Sequence, residues 1–411
     1  MTSLNLSSRL IGGVNSPVRA CQAVAAAPFH ANKAEGAYIF DENNKAYIDY
    51  ICGFGPILLG HRAPQINQLL ADSDNYSALG VCHAAEETLA QSIHSFMPAL
   101  EKIRFTNSGG EAAGVAVRLA KAYTKKTQII KFVGQYHGAV DSVLGYTTQS
   151  SLDRNGIDAS ITNNLVCLPF NDAEALNAYV SKHHDKIAGI MVELISGNMG
   201  FVPGQQHFIE TIASLCKTFN IVFIADEVMT GFRVHEQGAS HLYHVKPDLT
   251  LLGKVIGGGF PIGAVGGHAD IMNLLSPVGE VYHAGTFAGH PLAMQAGNLV
   301  LNAIKNDHVL TKCENYVAAL CGGLKDIFNT KGIPFVVDHR KAMFGFFFQS
   351  HHPLHFTDIS DDHSTLFNQF YHHCREQGIL LPPSAFEAIF VSASHDDQCL
   401  NQTLEIATSA F

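Results

Sequence analysis

Apolar and polar residues follow two alternating patterns between about residue 65 and residue 290. Short apolar runs rich in β-branched and aromatic residues are typical of strands covered on both faces. Between them, apolar residues recur every three or four positions, as in helices packed on a sheet. Strands are predicted at 103–106, 128–133, 187–195, 221–225 and 249–252, and helices at 208–219 and 291–306. One further helix follows the first strand, with an apolar face formed by Ala112, Val115, Ala116, Leu119, Ala120 and Tyr123.

This order of elements indicates an α/β fold. Strands separated by helices form a mostly parallel sheet with helices on both faces. In such sheets, binding groups gather where the strands end, at their carboxyl edge. The chemistry of the chain is therefore expected at the ends of the predicted strands.

The two ends of the chain suggest a second domain. The N-terminal segment is turn-rich, and residues 36–50 contain two β-rich runs around an Asp-Glu-Asn-Asn turn, which predicts a hairpin. At 411 residues, the chain is long for a single core. We therefore predict a large domain over 56–290. A smaller α/β domain is predicted over 291–411, joined by the N-terminal segment and hairpin at 1–55.

One stretch combines a buried strand, a lysine and a glycine run, namely DLTLLGKVIGGG at residues 248–259. Lys254 lies where the strand ends, between apolar residues. Burial disfavours the ammonium form and lowers the pKa of a lysine, and a neutral lysine amine is the nucleophile of Schiff-base chemistry. The alternative is that Lys254 reaches the surface and the glycines form an ordinary loop.

A second strand end resembles an anion-binding site. The strand at 103–106 runs into Ser108-Gly109-Gly110, which opens the following helix. The backbone N–H groups and the positive dipole end of a helix start bind phosphate groups. The alternative is that Ser108 is an ordinary helix N-cap, which is the commoner use of serine there.

Two more strand ends carry side chains suited to a flat heterocycle. Tyr136, beside His137, offers an aromatic face to a planar ring, although it is equally consistent with a half-buried loop tyrosine. Asp226 ends an apolar run and needs a cationic or donor partner. A protonated pyridine nitrogen would serve through a charge-assisted bond worth ~1.5–3 kcal/mol. The alternative is a structural ion pair, for example with Arg233.

Together these features supply an amine, a phosphate cradle, an aromatic face and a carboxylate. Pyridoxal 5′-phosphate (PLP) requires a partner for each of its aldehyde, phosphate, ring and pyridine nitrogen, so we predict it as the cofactor. Nucleotide-binding motifs do not fit. GGGFPIG at 257–263 departs from GxGxxG, and Lys254 lacks the first glycine of a Walker motif.

Composition limits the partners and the compartment. The net charge of −10 argues against nucleic acid or an anionic membrane surface as a partner. Nine dispersed cysteines without a CxxC pair favour reduced thiols in the cytoplasm. The chain has no leader-like N-terminus and no apolar run of the ~20 residues that a membrane helix needs.

Histidine is abundant, with 23 residues, but its spacing does not favour a metal site. Neighbours in sequence point apart on a helix or strand, which is poor ligand geometry. No HExxH motif is present. We therefore predict no metal, and solvent-facing side chains for His183, His184, His351, His352, His355, His372 and His373.

From about Gly12 to its C-terminus, the chain resembles the class III aminotransferases of PLP fold type I. The motifs DEVMTGFR at 226–233 and GKVIGGG at 253–259 are similar to those of the wider PLP group. The motifs GGVNSPVRA at 12–20 and PSAFEA at 383–388 resemble the glutamate-1-semialdehyde 2,1-aminomutase branch. The resemblance implies a mostly parallel seven-stranded sheet in the large domain. It also implies a homodimer with the active site at the subunit interface.

The resemblance further implies a reaction and its residues. The reaction is the conversion of (S)-4-amino-5-oxopentanoate to 5-aminolevulinate for tetrapyrrole (porphyrin) synthesis, without an outside amino donor. The implied catalytic residues are Lys254 as Schiff-base lysine and proton shuttle, Asp226 on the pyridine nitrogen, and Tyr136. The other implied cofactor contacts are Ser108, Gly109, Gly110, His137, Asn198, Val228 and, from the second subunit, Thr286. The implied substrate contacts are Arg19 on the carboxylate, Glu387 near the reacting amine, Ser16 and Phe54.

The chain departs from this branch in several segments. Ser108-Gly109-Gly110 stands where the family usually has Ser-Gly-Thr, and Phe54 lies in a segment where the family has Trp. The region 147–162 does not reproduce the glycine-serine gating loop of the aminomutases, and the stretch 69–87 is shortened. The altered loop favours a second hypothesis, a class III transaminase for another β- or ω-amino compound with an external donor. A third hypothesis is a PLP-fold binding protein without catalysis, against which Lys254, Asp226 and Tyr136 count.

Overall fold

The computed structural model describes residues 8–72, 77–145 and 155–411. The strands are β1 (Ala31–Glu35), β2 (Tyr38–Asp41), β3 (Ala46–Asp49), β4 (Lys102–Thr106), β5 (Gln128–Phe132), β6 (Leu165–Leu168), β7 (Ile187–Val192), β8 (Ile195–Ser196), β9 (Val202–Pro203), β10 (Val222–Asp226), β11 (Leu249–Gly253), β12 (Gly263–Gly267), β13 (Val336–Arg340), β14 (Met343–Phe347), β15 (Ile379–Leu380) and β16 (Ile389–Phe390). The α-helices are α1 (Pro64–Asp72), α2 (Ala84–Phe96), α3 (Gly109–Thr124), α4 (Ala159–Thr162), α5 (Ala173–His183), α6 (Gln206–Phe219), α7 (Gly238–Leu242), α8 (Ala269–Met272), α9 (Pro291–Asn306), α10 (Val309–Thr330), α11 (Asp361–Gln377) and α12 (Asp397–Ser409).

Seven strands form the central sheet, in the order β4-β12-β11-β10-β7-β5-β6. β12 runs antiparallel to both of its neighbours, and every other neighbouring pair is parallel. The prediction of a mostly parallel, seven-stranded sheet is confirmed. Because only β12 is reversed, the carboxyl ends of β4, β5, β7, β10 and β11 lie at one edge of the sheet.

Helices cover this sheet on both faces, as the alternation of buried residues along β10 shows. Val222 and Ile224 pack in the same cluster as the buried face of α3. Phe223 and Ala225 pack in another cluster, with apolar residues of α5 and α6. Successive side chains of a strand point to opposite faces, so the sheet separates two hydrophobic layers.

The predicted apolar face of α3 is buried except at its end. Ser108 caps the helix, since its Oγ accepts a hydrogen bond from Glu111 N at 3.2 Å. Five of the six predicted face residues are buried, whereas Tyr123 is 42% exposed. The prediction for Tyr123 is wrong because none of the residues 121–124 is buried, so the last turn of α3 extends beyond the core.

The two ends of the chain share a second sheet, in the order β1-β2-β3-β15. β2 and β3 pair antiparallel with Tyr38 opposite Ile48, which confirms the predicted hairpin. β15 joins β3 in parallel, so strands more than 300 residues apart in sequence are neighbours. A further three-stranded sheet has the order β13-β14-β16.

The predicted strand at 187–195 is divided in two. β7 ends at Val192, and β8 begins at Ile195 and pairs with β9 instead of continuing the central sheet. The break lies at Glu193, whose buried carboxylate needs hydrogen-bond donors that a strand covered on both faces does not offer. Because the predicted strand continues to residue 195, the sequence prediction does not place this acid at the sheet edge.

The prediction of solvent-facing histidine pairs is correct only for His351 and His352. The other five are half-buried because their rings bind backbone carbonyls or pack on aromatic rings. A ring nitrogen of His372 lies 2.7 Å from Val24 O, and the ring of His184 stacks on Phe219 at 4.4 Å between centroids. Among the described residues, no group of three or more His, Cys, Asp or Glu is placed to hold a metal ion.

Two of the segments noted in the sequence are only partly described. Residues 147–154 of the altered loop, and residues 73–76 in the stretch between α1 and α2, lie outside the described residues.

All nine cysteines are free thiols. Within the described ranges, no helix is both long and apolar enough to span a membrane.

Candidate active site

A cavity of about 640 Å³ opens at the carboxyl edge of the central sheet. Ten of the sequence-predicted site residues line it: Arg19, Ser108, Gly109, Gly110, Tyr136, His137, Asn198, Asp226, Val228 and Lys254. Four predicted residues do not: Ser16, Phe54, Thr286 and Glu387. The cavity also includes Gly259 of the predicted glycine run. The other lining residues were not predicted from the sequence: Gly53, Pro56, Asn107, Gly138, Ala139, Glu193, Met229, Phe260, Pro261 and Ile262.

Lys254 directly follows β11 and begins a short 3₁₀ turn, Lys254–Gly257. Its side chain lines the cavity, so the alternative of a lysine at the outer surface is not realised. Burial lowers the pKa of the Lys254 amine, while the negative charges of Glu387, Glu193 and Asp226 act in the opposite direction. A larger neutral fraction makes the amine a better nucleophile toward a carbonyl.

Asp226 ends β10 and is held by two donors of the protein. Its Oδ2 lies 2.7 Å from His137 Nδ1, and its Oδ1 accepts from Val228 N at 3.0 Å. The alternative of an ion pair with Arg233 is not realised, since that guanidinium donates to backbone carbonyls instead. Each carboxylate oxygen has a second acceptor direction, so Asp226 keeps capacity for a further donor in the cavity.

Glu193 is a buried carboxylate just beyond the end of β7. Its Oε1 accepts from Tyr136 N at 2.8 Å and from Asn198 Nδ2 at 2.9 Å, and its Oε2 accepts from Gly197 N at 3.0 Å. Burial raises the pKa of Glu193, and the charge of His137 and the hydrogen bonds from Tyr136 N and Asn198 Nδ2 oppose that shift. Glu193 thus fixes two residues of the cavity wall. The sequence does contain an indication of Glu193, because this acid directly follows the apolar residues 187–192, just as Asp226 ends the apolar run of β10.

The start of α3 forms a cradle that has no room for side chains. A Cβ atom built on Gly109 would lie 2.8 Å from the Cγ atoms of Val228, and one on Gly110 would lie 3.1 Å from Gly138 Cα. The first N–H groups of a helix have no acceptor within the helix and are therefore available to an anion. The hydroxyl of Ser108 is used as the N-cap, as the alternative proposed from sequence has it, and the anion site at this helix start stays a prediction.

Tyr136 follows β5 and is 42% exposed at the cavity wall. Burial, and then the negative charge of Glu387, raises the pKa of its phenol. Its hydroxyl is therefore kept neutral, and its ring is free to cover a planar group. The cradle, the Tyr136 ring, Asp226 and Lys254 fit the phosphate, ring, nitrogen and aldehyde of PLP in one cavity.

The remaining predicted substrate and cofactor residues lie around this cavity. Arg19 lines it, and among the described residues its guanidinium has no carboxylate within ion-pair distance. Ser16 accepts from Arg19 N through its backbone oxygen at 3.0 Å, so it supports this arginine. Phe54 is half-buried and does not line the cavity, although Gly53 does.

Two further predicted residues, Glu387 and Thr286, lie outside the lining of the cavity. Burial raises the pKa of Glu387 to about 7, while the positive charge of Lys254 opposes the shift. Glu387 is therefore close enough to interact electrostatically with the reacting amine. Thr286 is exposed and does not belong to the cavity of its own chain.

Comparison with known proteins agrees with this geometry. The sequence profile of the family Aminotransferase class-III matches residues 21–406. An omega-transaminase from Sphaerobacter thermophilus is 27% identical, with a TM-score of 0.89 over 98% of this chain and 94% of that chain. A beta-phenylalanine aminotransferase from Variovorax paradoxus is also 27% identical, with a TM-score of 0.87 over 98% of this chain and 90% of that chain.

A more distant structure has the same fold. A glutamate-1-semialdehyde-aminomutase from Pseudomonas aeruginosa PAO1, in complex with PMP, is 20% identical. Its TM-score is 0.82 over 93% of this chain and 87% of that chain. The family match spans nearly the whole chain, and the cavity joins a lysine, a carboxylate and an anion cradle at the ends of parallel strands. The chain belongs to the class III aminotransferases, whose cofactor is pyridoxal 5′-phosphate.

Proposed function

We propose that the protein is a glutamate-1-semialdehyde 2,1-aminomutase that forms 5-aminolevulinate for tetrapyrrole synthesis. The observation that carries this proposal is the single arginine, Arg19, among the described residues that line the cavity. An aminomutase moves the amine between adjacent carbons of one substrate, so one carboxylate receptor serves both halves of the reaction.

The residues of this chain have distinct tasks in that reaction. When bound, PLP withdraws electrons from the carbon that carries the amine. Asp226 would accept a hydrogen bond from the pyridine nitrogen, and His137 holds Asp226 in orientation. Arg19 would bind the substrate carboxylate. Lys254 would donate a proton to the aldehyde carbon as it gains an amine in the first half-reaction, and would accept a proton from the neighbouring carbon as it loses its amine in the second.

Glu387 supports the transfer of protons at the substrate amine. With a pKa of about 7, this carboxyl group is close to half protonated at neutral pH, so it both donates and accepts protons there. The sequence PSAFEA that contains it resembles the aminomutase branch. Glu193 orients Asn198, which we assign to the ring hydroxyl of the cofactor.

We further propose a cytoplasmic homodimer in which the second copy supplies Thr286 to the phosphate. Thr286 is exposed and stands between two exposed aromatic residues, Tyr282 at 70% and Phe287 at 61% exposure. Such an apolar surface is typical of a contact with another protein. The free thiols support a reducing compartment.

A second candidate is a transaminase for β- or ω-amino compounds that uses an external amino donor. It is favoured by the two structures at 27% identity, which are an omega-transaminase and a beta-phenylalanine aminotransferase. A binding protein without catalysis is not supported, because Lys254, Asp226 and Tyr136 line the same cavity.

The deciding experiment is 5-aminolevulinate formation by the PLP-loaded protein, with glutamate-1-semialdehyde as the only amine. Spontaneous conversion is subtracted with the Lys254→Ala variant. Product that depends on the lysine supports the aminomutase. No product from protein that holds PLP contradicts it, and a screen with β-phenylalanine and 2-oxo acids then tests the second candidate.

A further inference from the structure

The backbone next to Lys254 has an unusual conformation. The φ angle is positive at four successive residues, with +47° at Cys52, +67° at Gly53, +62° at Phe54 and +112° at Gly55. Side chains with a Cβ atom are disfavoured at such angles, so Cys52 and Phe54 adopt them only because the surrounding structure holds them there. Strain of this kind is concentrated at functional sites. We call residues 52–55 the left-handed turn.

The left-handed turn covers the stem of the lysine. A Cβ atom built on Gly55 would lie 3.1 Å from Lys254 Cδ and 3.5 Å from the ring of Phe390. Gly53 lines the cavity itself. The position of the turn therefore determines how Lys254 is packed and how close a substrate can approach it.

Both ends of the turn are fixed by buried polar side chains. At the start, Asp49 Oδ1 accepts from Ile51 N at 2.9 Å and from Cys52 N at 3.2 Å, and Asp49 Oδ2 lies 2.7 Å from His61 Nε2. At the end, the guanidinium of Arg233 donates to Gly55 O.

Arg233 is fully buried, with 0% exposure, and connects the turn to the C-terminal part of the chain. Its Nη1 donates to Ala342 O and to Val391 O, both at 3.0 Å. Its guanidinium lies over the ring of Phe390 at 5.2 Å. Within the described part of the chain, no carboxylate lies within ion-pair distance of Arg233. A buried cation whose acceptors are backbone carbonyls of three segments fixes those segments relative to one another.

We propose that Arg233 is a positioning residue, which holds the left-handed turn against Lys254 and so sets the approach of the substrate to the reacting amine. Arg233 does not line the cavity and acts through Gly55. The inference rests on the proposed role of Lys254. The positive charge of Arg233 also contributes to the lowered pKa of the Lys254 amine.

The test is hydrogen–deuterium exchange of the PLP-loaded protein without substrate, read by mass spectrometry in peptides that cover residues 50–58. The amides of Phe54, Gly55 and Ile57 report on the turn, because they donate to Ile51 O and Cys52 O. The variants are Arg233→Met, which removes all donors, and Arg233→Lys, which keeps the charge but offers only one nitrogen. Arg104→Met is the matched control, since Arg104 donates to Ser276 O away from the turn.

In Arg233→Met we expect faster exchange in 50–58 and unchanged exchange in the peptides of the central sheet. Arg233→Lys should give a smaller acceleration, and Arg104→Met none in this segment. With the substrate that the wild type turns over, kcat should fall roughly 10- to 100-fold, with KM within about threefold. The absorbance band of the bound cofactor should titrate at higher pH in Arg233→Met than in Arg233→Lys, because only the methionine removes the positive charge.

Unchanged exchange in 50–58, or acceleration spread evenly over the whole chain, would overturn the proposal. If Arg233→Met does not fold, Arg233→Lys is judged by the same criterion. Because exchange is read without substrate, a wrong assignment of the reaction leaves this result intact. Local acceleration then supports the positioning role even when 5-aminolevulinate is not formed.

Discussion

The two halves of the cavity are built in different ways. The half assigned to the cofactor lies at strand ends of the central sheet, with Asp226 after β10, Lys254 after β11 and the anion cradle at the start of α3. The half assigned to the substrate comes from the two ends of the chain. Arg19 and Gly53 of the left-handed turn line it, and Glu387 interacts electrostatically with Lys254 from outside the lining. The first half is set by local strand-to-turn geometry, and the second by contacts between residues far apart in sequence.

The halves also differ in how far the protein satisfies their polar groups. Asp226 and Glu193 are each held by hydrogen bonds from neighbouring side chains and backbone. Arg19 has no ion-pair partner among the described residues, and Glu387 has a pKa of about 7. We infer that one half is preorganised for a single cofactor, whereas the other half reserves its charges for the substrate. Changes in each half should therefore have different consequences.

The largest effect is expected from Lys254→Ala. Loss of the amine should lower turnover by about 10⁴-fold, at the upper end of the range for a proton-transfer group. The cradle and Asp226 are unchanged in this variant, so PLP should still bind, and equilibrium dialysis can measure its retention. The exposed Lys246→Ala is the control. Loss of cofactor binding together with activity would show that the cofactor half depends on the lysine.

A smaller effect is expected from Asp226→Asn, which keeps the shape of the side chain and removes its charge. The pyridine nitrogen loses its anionic partner, so kcat should fall by roughly 10²–10³-fold, as on removal of one preorganised polar group. KM should change little, because the substrate half is intact. Steady-state kinetics of the loaded enzyme measure both, with the exposed Asp270→Asn as control. A rise in KM alone would contradict the division into two halves.

Much of the cofactor half could be predicted from sequence, because strand, end residue and helix start are adjacent in the chain. Asp226, Lys254 and Gly109 were found in this way. Glu193 does not appear among the predicted site residues because the predicted strand extends across it to Ile195, which places the end of β7 too late. An acid that follows an apolar run indicates a strand end as clearly as a glycine does, so both residue types are needed to predict where strands end.

The substrate half could be predicted only by resemblance to a family. No local pattern connects Arg19 with Glu387, because they lie near the opposite ends of the sequence. The sequence does not predict the left-handed conformation of residues 52–55 either, because Cys52 and Phe54 are not residues that favour positive φ. The sequence offers Arg233 as an ion-pair partner for Asp226, but its acceptors are backbone oxygens from three distant segments, which no sequence pattern reveals.

Arg19→Leu should affect substrate binding and leave the cofactor in place. Loss of a charge-assisted bond worth about 1.5–3 kcal/mol lowers kcat/KM by roughly 10- to 100-fold. An amino aldehyde that lacks the carboxylate should be turned over equally by wild type and variant. The unchanged spectrum of bound PLP is the control for the cofactor half. An equal loss with both substrates would mean that Arg19 does not bind the carboxylate.

The smallest and most specific expected effect is on the pH dependence of kcat/KM, which we attribute to the ionisation of Glu387. In the wild type, kcat/KM should rise as Glu387 ionises near pH 7, because only the carboxylate accepts a proton from the substrate amine. In Glu387→Gln this rise should be absent, since glutamine does not titrate. The exposed Glu376→Gln should keep the wild-type profile.

The free energies of unfolding of the wild type and of Glu387→Gln should also diverge in this pH range. The sign of the difference follows from the linkage between protonation of Glu387 and folding. The pKa of Glu387 is raised from 4.5 to about 7, so between these values the folded chain holds a proton that the unfolded chain has released. Its contribution to stability is complete below pH 4.5 and is lost as the pH rises through about 7. The free energy of unfolding of the wild type should therefore fall relative to that of Glu387→Gln across this window, as urea titrations at successive pH values can measure. A difference that does not change with pH would mean that Glu387 is solvated in the folded protein, and the substrate half would then lack its proton-exchanging group.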